Sequence, residues 1–431
     1  MSKYDKAGLA MIPSGYKASK VYSLIPNSSV GDFDFTRGST ATRINKDGLI
    51  DTVASGVPRL EYPLIDGVVQ DTPSLLLEPS RTNLFEYSED FSNAYWNVSR
   101  IETPFLANIV SPDGSQNSYT LEISNGETNG GGIFKTGISI SGDNSFSVFA
   151  KKKTANYLAL SDTGLTTNAV YFDLENGVVG TTFNATGEIQ DFGNGWYKCT
   201  MKYNLTSSGI KFIYLSNIDG IASNAVQGGD SIYIYGAMLE QGSYPTSYIP
   251  TSGATVTRAA EICNGAGTSA EFNSEEGVLF AEISALEDDG TSRRISLSHA
   301  TANTDNRVTI EVDETASTIK AFMSSGGTTV GSLTAIVDSQ THNNKVALIY
   351  KANTFNIYVN GFLLDTDPSI ASLPIDLSRL QFEGANGSNP FYGKTKQLIA
   401  FKEALTDSEL EDLTSWDSFN EMATAQEYSI K

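Results

Sequence analysis

Asn344-Lys345-Val346-Ala347-Leu348-Ile349-Tyr350-Lys351-Ala352-Asn353-Thr354-Phe355-Asn356-Ile357-Tyr358-Val359-Asn360-Gly361 is the stretch that decides how this chain folds. Two short runs rich in β-branched and aromatic residues, 344–351 and 354–359, read as strands. Asn360-Gly361 leads into a third, 361–365. A two-residue type I′ hairpin needs positive φ at both central positions, which Asn-Gly adopts at little cost.

The same logic extends outward. Strands are predicted over 270–273, 277–283, 292–299, 307–313, 318–325, 328–336, 379–383 and 393–401. The one credible helix opens at Leu405-Thr406-Asp407-Ser408-Glu409-Leu410, with Thr406 as N-cap and Glu409 three residues on, a capping box. Upstream, 118–123, 132–138, 145–151, 157–161, 169–173, 187–192, 196–203, 211–215 and 231–240 read as another set of short strands. Many alternate: Phe146 and Val148 share one face, as do Ile232 and Ile234. Turn clusters such as Glu175-Asn176-Gly177 separate them. The expected fold is therefore all-β, with consecutive β-sandwiches: a jelly roll over 86–258, then a second sandwich over 262–415, then a polar tail over 416–431.

Residues 1–85 read differently. Six of the 13 prolines fall there, and only short strand-like pieces remain, including 74–78 and a pair about the turn Asn45-Lys46-Asp47-Gly48. The segment carries nine basic and nine acidic residues, whereas the rest carries 20 and 41 and so the whole net charge of −21. An extended N-terminal docking segment is expected, its apolar run Leu75-Leu76-Leu77 requiring a partner. The candidates are the jelly roll, sister subunits or another protein.

Composition excludes several classes. A net charge of −21 disfavours nucleic acid, because phosphate binding needs clustered Lys and Arg. No apolar run is long enough to insert in a membrane, and the N-terminus lacks a secretory apolar core. Cys199 and Cys263 are too few for a disulfide framework, and free buried thiols are expected. The two histidines, His299 and His342, lack zinc spacing and sit at strand ends, and no nucleophile elbow or phosphate loop appears. Among 50 acidic residues, Glu311 and Asp313 share a strand face as a glycosidase pair would, but acids this abundant make the pairing uninformative. No catalytic residue is assigned, and the chain is read as not an enzyme.

Two resemblances refine this reading. The stretches 344–350, 355–361, 380–384, Pro390-Phe391-Tyr392-Gly393, 397–401 and 404–410 resemble the laminin-G/pentraxin group of concanavalin A-like lectin folds, although His342-Asn343-Asn344 stands where a Trp usually opens the first strand. Elsewhere the chain resembles tail or fibre proteins of tailed bacteriophages, which place a carbohydrate-binding-module-like jelly roll before a lectin-like domain. That likeness is carried by Asp34-Phe35-Thr36-Arg37-Gly38-Ser39-Thr40-Ala41-Thr42-Arg43, Val57-Pro58-Arg59-Leu60-Glu61-Tyr62, Leu75-Leu76-Leu77-Glu78-Pro79-Ser80-Arg81-Thr82-Asn83-Leu84, and the segment 235–251 with its Tyr244-Pro245-Thr246-Ser247-Tyr248. The resemblance implies a virion protein, assembled in the host cytoplasm, docked to other virion proteins through its N-terminal segment, forming a homotrimer and binding host-surface polysaccharide. The rival reading is a head or tail decoration or connector that binds no sugar; a glycan hydrolase trails both.

Sugar binding wants an aromatic platform with polar side chains around it. Trp96, Tyr157, Tyr171 and Tyr214 are the candidates in the jelly roll, and Asn303, Asp305, Arg307, Asn386, Asn389 and Tyr392 those in the last sandwich, each weighed against ordinary loop or core duty. Trp196, in Gly195-Trp196-Tyr197, reads as core packing. No cofactor is expected; Asp143, Asp173 and Asp305 are candidates to join backbone carbonyls around a structural calcium, without a complete ligand string.

Overall fold

The computed structural model describes residues 3–205, 209–301 and 303–427. Strands hold 48% of the chain and helices 5%, which settles the all-β class. Two sandwiches account for nearly all of it.

The jelly roll is built from two six-stranded sheets. One runs Asn97–Ser99, Gly131–Lys135, Lys211–Ser216, Tyr157–Asp162, Asn168–Asp173, Val178–Phe183; the other runs Phe105–Leu106, Tyr119–Glu122, Ser231–Gln241, Gly142–Lys152, Trp196–Leu205, Thr186–Asp191. Alternation puts Leu158, Leu160, Val170, Phe172, Ile213 and Leu215 of the first sheet against Phe146, Val148, Cys199, Ile232 and Ile234 of the second.

The second sandwich pairs an eight-stranded with a nine-stranded sheet. The opening stretch behaves as read: Asn344–Lys351 pairs with Thr354–Val359, which turns through Asn360 (φ 52°) and Gly361 (φ 91°) to Phe362–Asp367. Both turn residues have the positive φ of a type I′ hairpin. Helix Asp407–Thr414 carries the capping box, and its Leu410 and Leu413 seal the outer side of the eight-stranded sheet. The segment 270–273, expected as a strand, is a loop whose Phe272 plugs the core, so side-chain burial there is not sheet pairing.

The N-terminal expectation is corrected. Residues 3–85 are not an extended arm: several of their strands complete both sheets of the C-terminal sandwich. Ala7–Met11 and Ser74–Leu77 both pair with Gly393–Phe401, and Phe33–Thr36 pairs with Ile262–Ala266. Leu75, Leu76 and Leu77 are thereby buried, as are Leu9, Met11, Phe33 and Phe35. The physical reason is the hydrophobic effect acting within the chain: prolines break the segment into short strands, yet Ala7–Met11, Phe33–Thr36 and Ser74–Leu77 carry apolar residues that the second sandwich covers. The jelly roll is thus inserted in that sandwich. It enters and leaves through a two-stranded ribbon, Arg81–Asn83 against Val256–Arg258.

The polar tail contains a short helix, Phe419–Ala425, and Asn343 N and Gln426 Nε2 tie it back with hydrogen bonds of 3.1 and 2.8 Å to Ala425 O and Asn343 O. Cys199 and Cys263 are free and buried in separate cores. Among the described residues no helix is long and apolar enough to cross a membrane.

Candidate functional site

The best-formed candidate is the outward face of the jelly-roll sheet that contains Tyr157–Asp162. Because side chains alternate along a strand, the residues between its core positions all point the other way. Register lines them up in rows. One row is Phe134, Phe212, Ser161, Ala169, Phe183; the next is Gly132, Tyr214, Ala159, Tyr171; Tyr157 follows, opposite Ser216 and Asp173. The rings touch in series: Phe134 and Phe212 at 5.7 Å between centroids, Phe212 and Tyr214 at 5.1 Å, Tyr171 and Phe183 at 6.4 Å. The small residues Gly132, Ala159 and Ala169 leave room for these rings to lie over the sheet; a Cβ on Gly132 would stand 2.7 Å from the Tyr214 ring.

Three of the four expected jelly-roll residues therefore meet on one face, in two different roles. Tyr171 and Tyr214 are its buried floor, while Tyr157, Phe183, Phe212 and Phe134 stay partly open to solvent. The Tyr171 hydroxyl is buried with no hydrogen-bond partner. Burial and then the negative charge of Asp219 push its pKa up to about 12, so it is a neutral donor. Asp219 is itself fixed at the rim, accepting from Thr181 N at 2.7 Å and Thr181 Oγ1 at 2.9 Å. Tyr157 donates to Asp173 at 3.4 Å. Partly open aromatic faces beside fixed carboxylates are what a pyranose needs: apolar C–H surface stacks, and hydroxyls pair.

Trp96 is not part of this face. It lies in the core, 4.9 Å from Phe85 and 5.7 Å from Phe91, and its indole N–H donates to Tyr87 O at 2.9 Å. A Trp with a satisfied N–H in an apolar cluster is a packing residue. Trp196 is core as read, donating to Val110 O.

In the second sandwich the six candidates divide. Arg307 reaches the 383–389 loop, donating from Nη1 to Gly384 O at 2.5 Å. Asn389 of that loop accepts from Arg294 N through its carbonyl, and the Asn386 side chain accepts from Ser388 within the loop. Asn303 and Asp305 shape the turn before Arg307, where Asp305 N donates to Asn303 Oδ1 at 3.2 Å. Tyr392 packs against the core and faces Tyr244, Glu261 and Arg81 instead of the loops.

The calcium candidates do not converge. Asp143 takes Asn204 Nδ2 at 2.7 Å on one jelly-roll sheet, Asp173 caps the turn of Glu175 and Asn176 on the other, and Asp305 belongs to the second sandwich. Among the described residues no three His, Cys, Asp or Glu side chains gather as a metal-ligand set. Glu311 is engaged by Arg294 at 2.6 Å and Asp313 by Lys320 at 2.8 Å.

No family model matches the chain, and no curated protein matches it. Solved structures do. The CBM40 carbohydrate-binding module of the Ruminococcus gnavus IT-sialidase, solved with α2,3-sialyllactose, aligns with 35% of this chain and 93% of its own at 15% identity and a TM-score of 0.29. The leech intramolecular trans-sialidase aligns with 36% of this chain and 27% of its own, at 20% identity and a TM-score of 0.28. Domains LG4-5 of the mouse laminin alpha1 chain align with 62% of this chain and 86% of theirs, at 8% identity and a TM-score of 0.23. Each likeness is one of fold alone.

Sequence reasoning missed Phe134, Phe183, Phe212 and Asp219. A signal existed for Phe212: in Lys211-Phe212-Ile213-Tyr214 it stands two residues from Tyr214, hence on the same face. It also missed a charged joint beneath the ribbon. Arg59 bonds Glu261 through Nε at 2.9 Å and through Nη2, and bonds Glu78 at 2.8 Å. Arg37 bonds Glu261 at 2.7 Å, and Arg258 bonds Glu78 at 2.8 Å. Ser247 supplies its N–H and hydroxyl to Glu78. All five charged groups are buried.

Proposed function

We propose that this protein is a virion surface component of the fibre or spike type, assembled in the host cytoplasm, and that it binds host-surface glycan through the aromatic face of its jelly roll. The observation that carries the glycan reading is the partly open set of rings Phe134, Phe212, Phe183 and Tyr157 over the buried floor of Tyr171 and Tyr214. The virion assignment draws on the phrases of 34–43, 57–62, 75–84 and 235–251, which converge on the joint between the sandwiches. With the N-terminal strands used inside the fold, attachment to other virion proteins or to sister subunits falls to other surfaces.

The test is binding of the whole chain to host cells and to a glycan array, with Phe212→Ala and Tyr157→Ala beside it. Losing a stacking ring costs about 1 kcal/mol, roughly fivefold in affinity, so the double variant should bind at least tenfold more weakly with its unfolding temperature little changed. Equal binding by the double variant rejects this face as the contact.

One observation favours the rival reading of a decoration or connector. Phe362, Leu363 and Leu364 are exposed by 68, 45 and 41% on the edge strand Phe362–Asp367 of the eight-stranded sheet. An apolar open edge suits a subunit contact. Normal occupancy on particles but no glycan or cell binding would establish that reading.

A further inference from the structure

The outward face of the nine-stranded sheet differs in chemistry from the jelly-roll face. Its core side is apolar, with Ile295, Leu297, Val308, Ile310, Ala321, Met323 and Leu380. The alternate residues are polar and pair across strands: Arg294 opposite Glu311, Ser296 between Gln381 and Thr309, Ser298 opposite Arg307. Phe322, next to Thr309, has two guanidinium groups close to its ring, with Arg307 Cζ 4.7 Å and Arg294 Cζ 5.1 Å from its centroid.

The two arginines are not equivalent. Arg294 has a carboxylate, Glu311, which also accepts from Ser292. Arg307 has no ion pair among the described residues, although the chain carries 50 acidic side chains. It is 9% exposed, its Nε has no acceptor, and Gly384 O takes only one of its five N–H groups. Burial and the neighbouring Arg294 lower its pKa to about 10. A guanidinium left without a counter-charge is costly unless a ligand completes it.

We infer that this face is a second saccharide subsite, specific for an acidic sugar, in which Arg307 receives the carboxylate. An acidic pyranose offers an anionic acceptor fork, and its apolar face has the half-buried Phe322 and Arg294 to lie against. A simple anion offers the fork alone. This inference rests on the reading of the protein as a glycan binder but uses the other sandwich, so each can fail without the other.

The experiment is calorimetric titration of the full chain with tri-galacturonate, neutral tri-galactose and inorganic phosphate. Tri-galacturonate should bind, tri-galactose at least tenfold more weakly, and millimolar phosphate should not displace the acidic trimer. Arg307→Met should lose binding at least tenfold while the unfolding temperature holds or rises, because an uncompensated charge has gone; Arg307→Lys, which keeps charge but not the fork, should not restore it. Phe212→Ala/Tyr157→Ala should keep tri-galacturonate binding. Equal affinity for the two trimers, binding of neither, displacement by phosphate, wild-type affinity in Arg307→Met, or a lowered unfolding temperature in that variant overturns the inference.

Discussion

Glu261→Gln is the sharpest perturbation of the joint that holds the jelly roll to its host sandwich. The Glu261 carboxylate is 1% exposed and accepts from Arg37 Nη1 at 2.7 Å, Arg59 Nε at 2.9 Å, Arg59 Nη2 and Glu78 N at 2.9 Å. Arg37 has no other ion pair among the described residues, and its side chain is fully buried. The amide therefore leaves one buried guanidinium without a counter-charge and turns charge-assisted bonds into neutral ones. Breaking one partner out of a buried pair costs about 3–5 kcal/mol, a large part of a domain's ~5–15 kcal/mol. With a urea m-value of ~3 kcal/mol/M, the midpoint should fall by about 1–1.7 M. Far-UV circular dichroism of the whole chain reads it. Asp34→Asn is the control: Asp34 pairs with Lys20 at 2.7 Å but its side chain is 70% exposed, so its loss should move the midpoint by only a few tenths of that. If Glu261→Gln shifts the midpoint no more than Asp34→Asn, the joint is not what locks the sandwiches together.

Four further outcomes are expected. Deleting residues 1–70 should leave an insoluble or partly unfolded chain by size exclusion and circular dichroism, since Ala7–Met11, Phe33–Thr36 and Arg59–Glu61 are strands of the second sandwich; a soluble chain with one cooperative transition contradicts the pairing. Tyr171→Phe should raise stability by about 1 kcal/mol, seen as a higher unfolding temperature, by removing an unpartnered buried hydroxyl. Cys199 and Cys263, buried and with their thiols pushed up by burial, should resist a thiol reagent in buffer and react as two equivalents in denaturant. The Glu78 carboxyl, held low by Arg258 and Arg59 against its burial, supplies stability that is complete above the unfolded value near 4.5 and lost as pH falls below it; acid titration of the urea midpoint should show that fall, and Glu78→Gln should flatten it.

What was legible in the sequence was whatever local physics decides. The Asn360-Gly361 hairpin and the Thr406/Glu409 cap depend on a few adjacent residues, and both stand as read. The alternation that separates Leu158 and Leu160 from Tyr157 and Ala159 also lies within one strand, so three of the four jelly-roll candidates reached one face. What was not legible is long-range. Nothing near Leu75 says that its strand pairs with Gly393–Phe401, more than three hundred residues on. Proline spacing suggested an extended arm because it reports the absence of long strands, while short strands at the end of a sheet tolerate proline between them. Trp96 misled for a related reason: an aromatic residue near turns reads alike whether its ring faces water or, as here, Phe85.

The joint explains why the stretches 34–43, 57–62, 75–84 and 235–251 look unlike either sandwich. Arg37, Arg59, Glu78, Ser247, Arg258 and Glu261 come from four separated stretches, and no strand alternation predicts them. They meet because an inserted domain has two crossings, here Arg81–Asn83 and Val256–Arg258, and both must be fixed if the insert is not to swing. Apolar packing alone would hold the crossings together but would tolerate sliding; bonds from two arginines to one carboxylate tolerate neither sliding nor rotation. Thr42 Oγ1, donating to Tyr248 O, and Asn83 Nδ2, donating to Ala237 O at 3.1 Å and Ile249 O at 2.8 Å, extend the same locking into the jelly roll. A rigid joint would matter for the two sugar sites proposed above. If the aromatic face and the Arg307 face each bind a repeat of the same polymer, their separation is set by the joint and not by a flexible linker, and affinity gained by binding both depends on the polymer's spacing matching that fixed distance. Loosening the joint with Glu261→Gln should then reduce binding to long polysaccharide more than binding to single short oligomers.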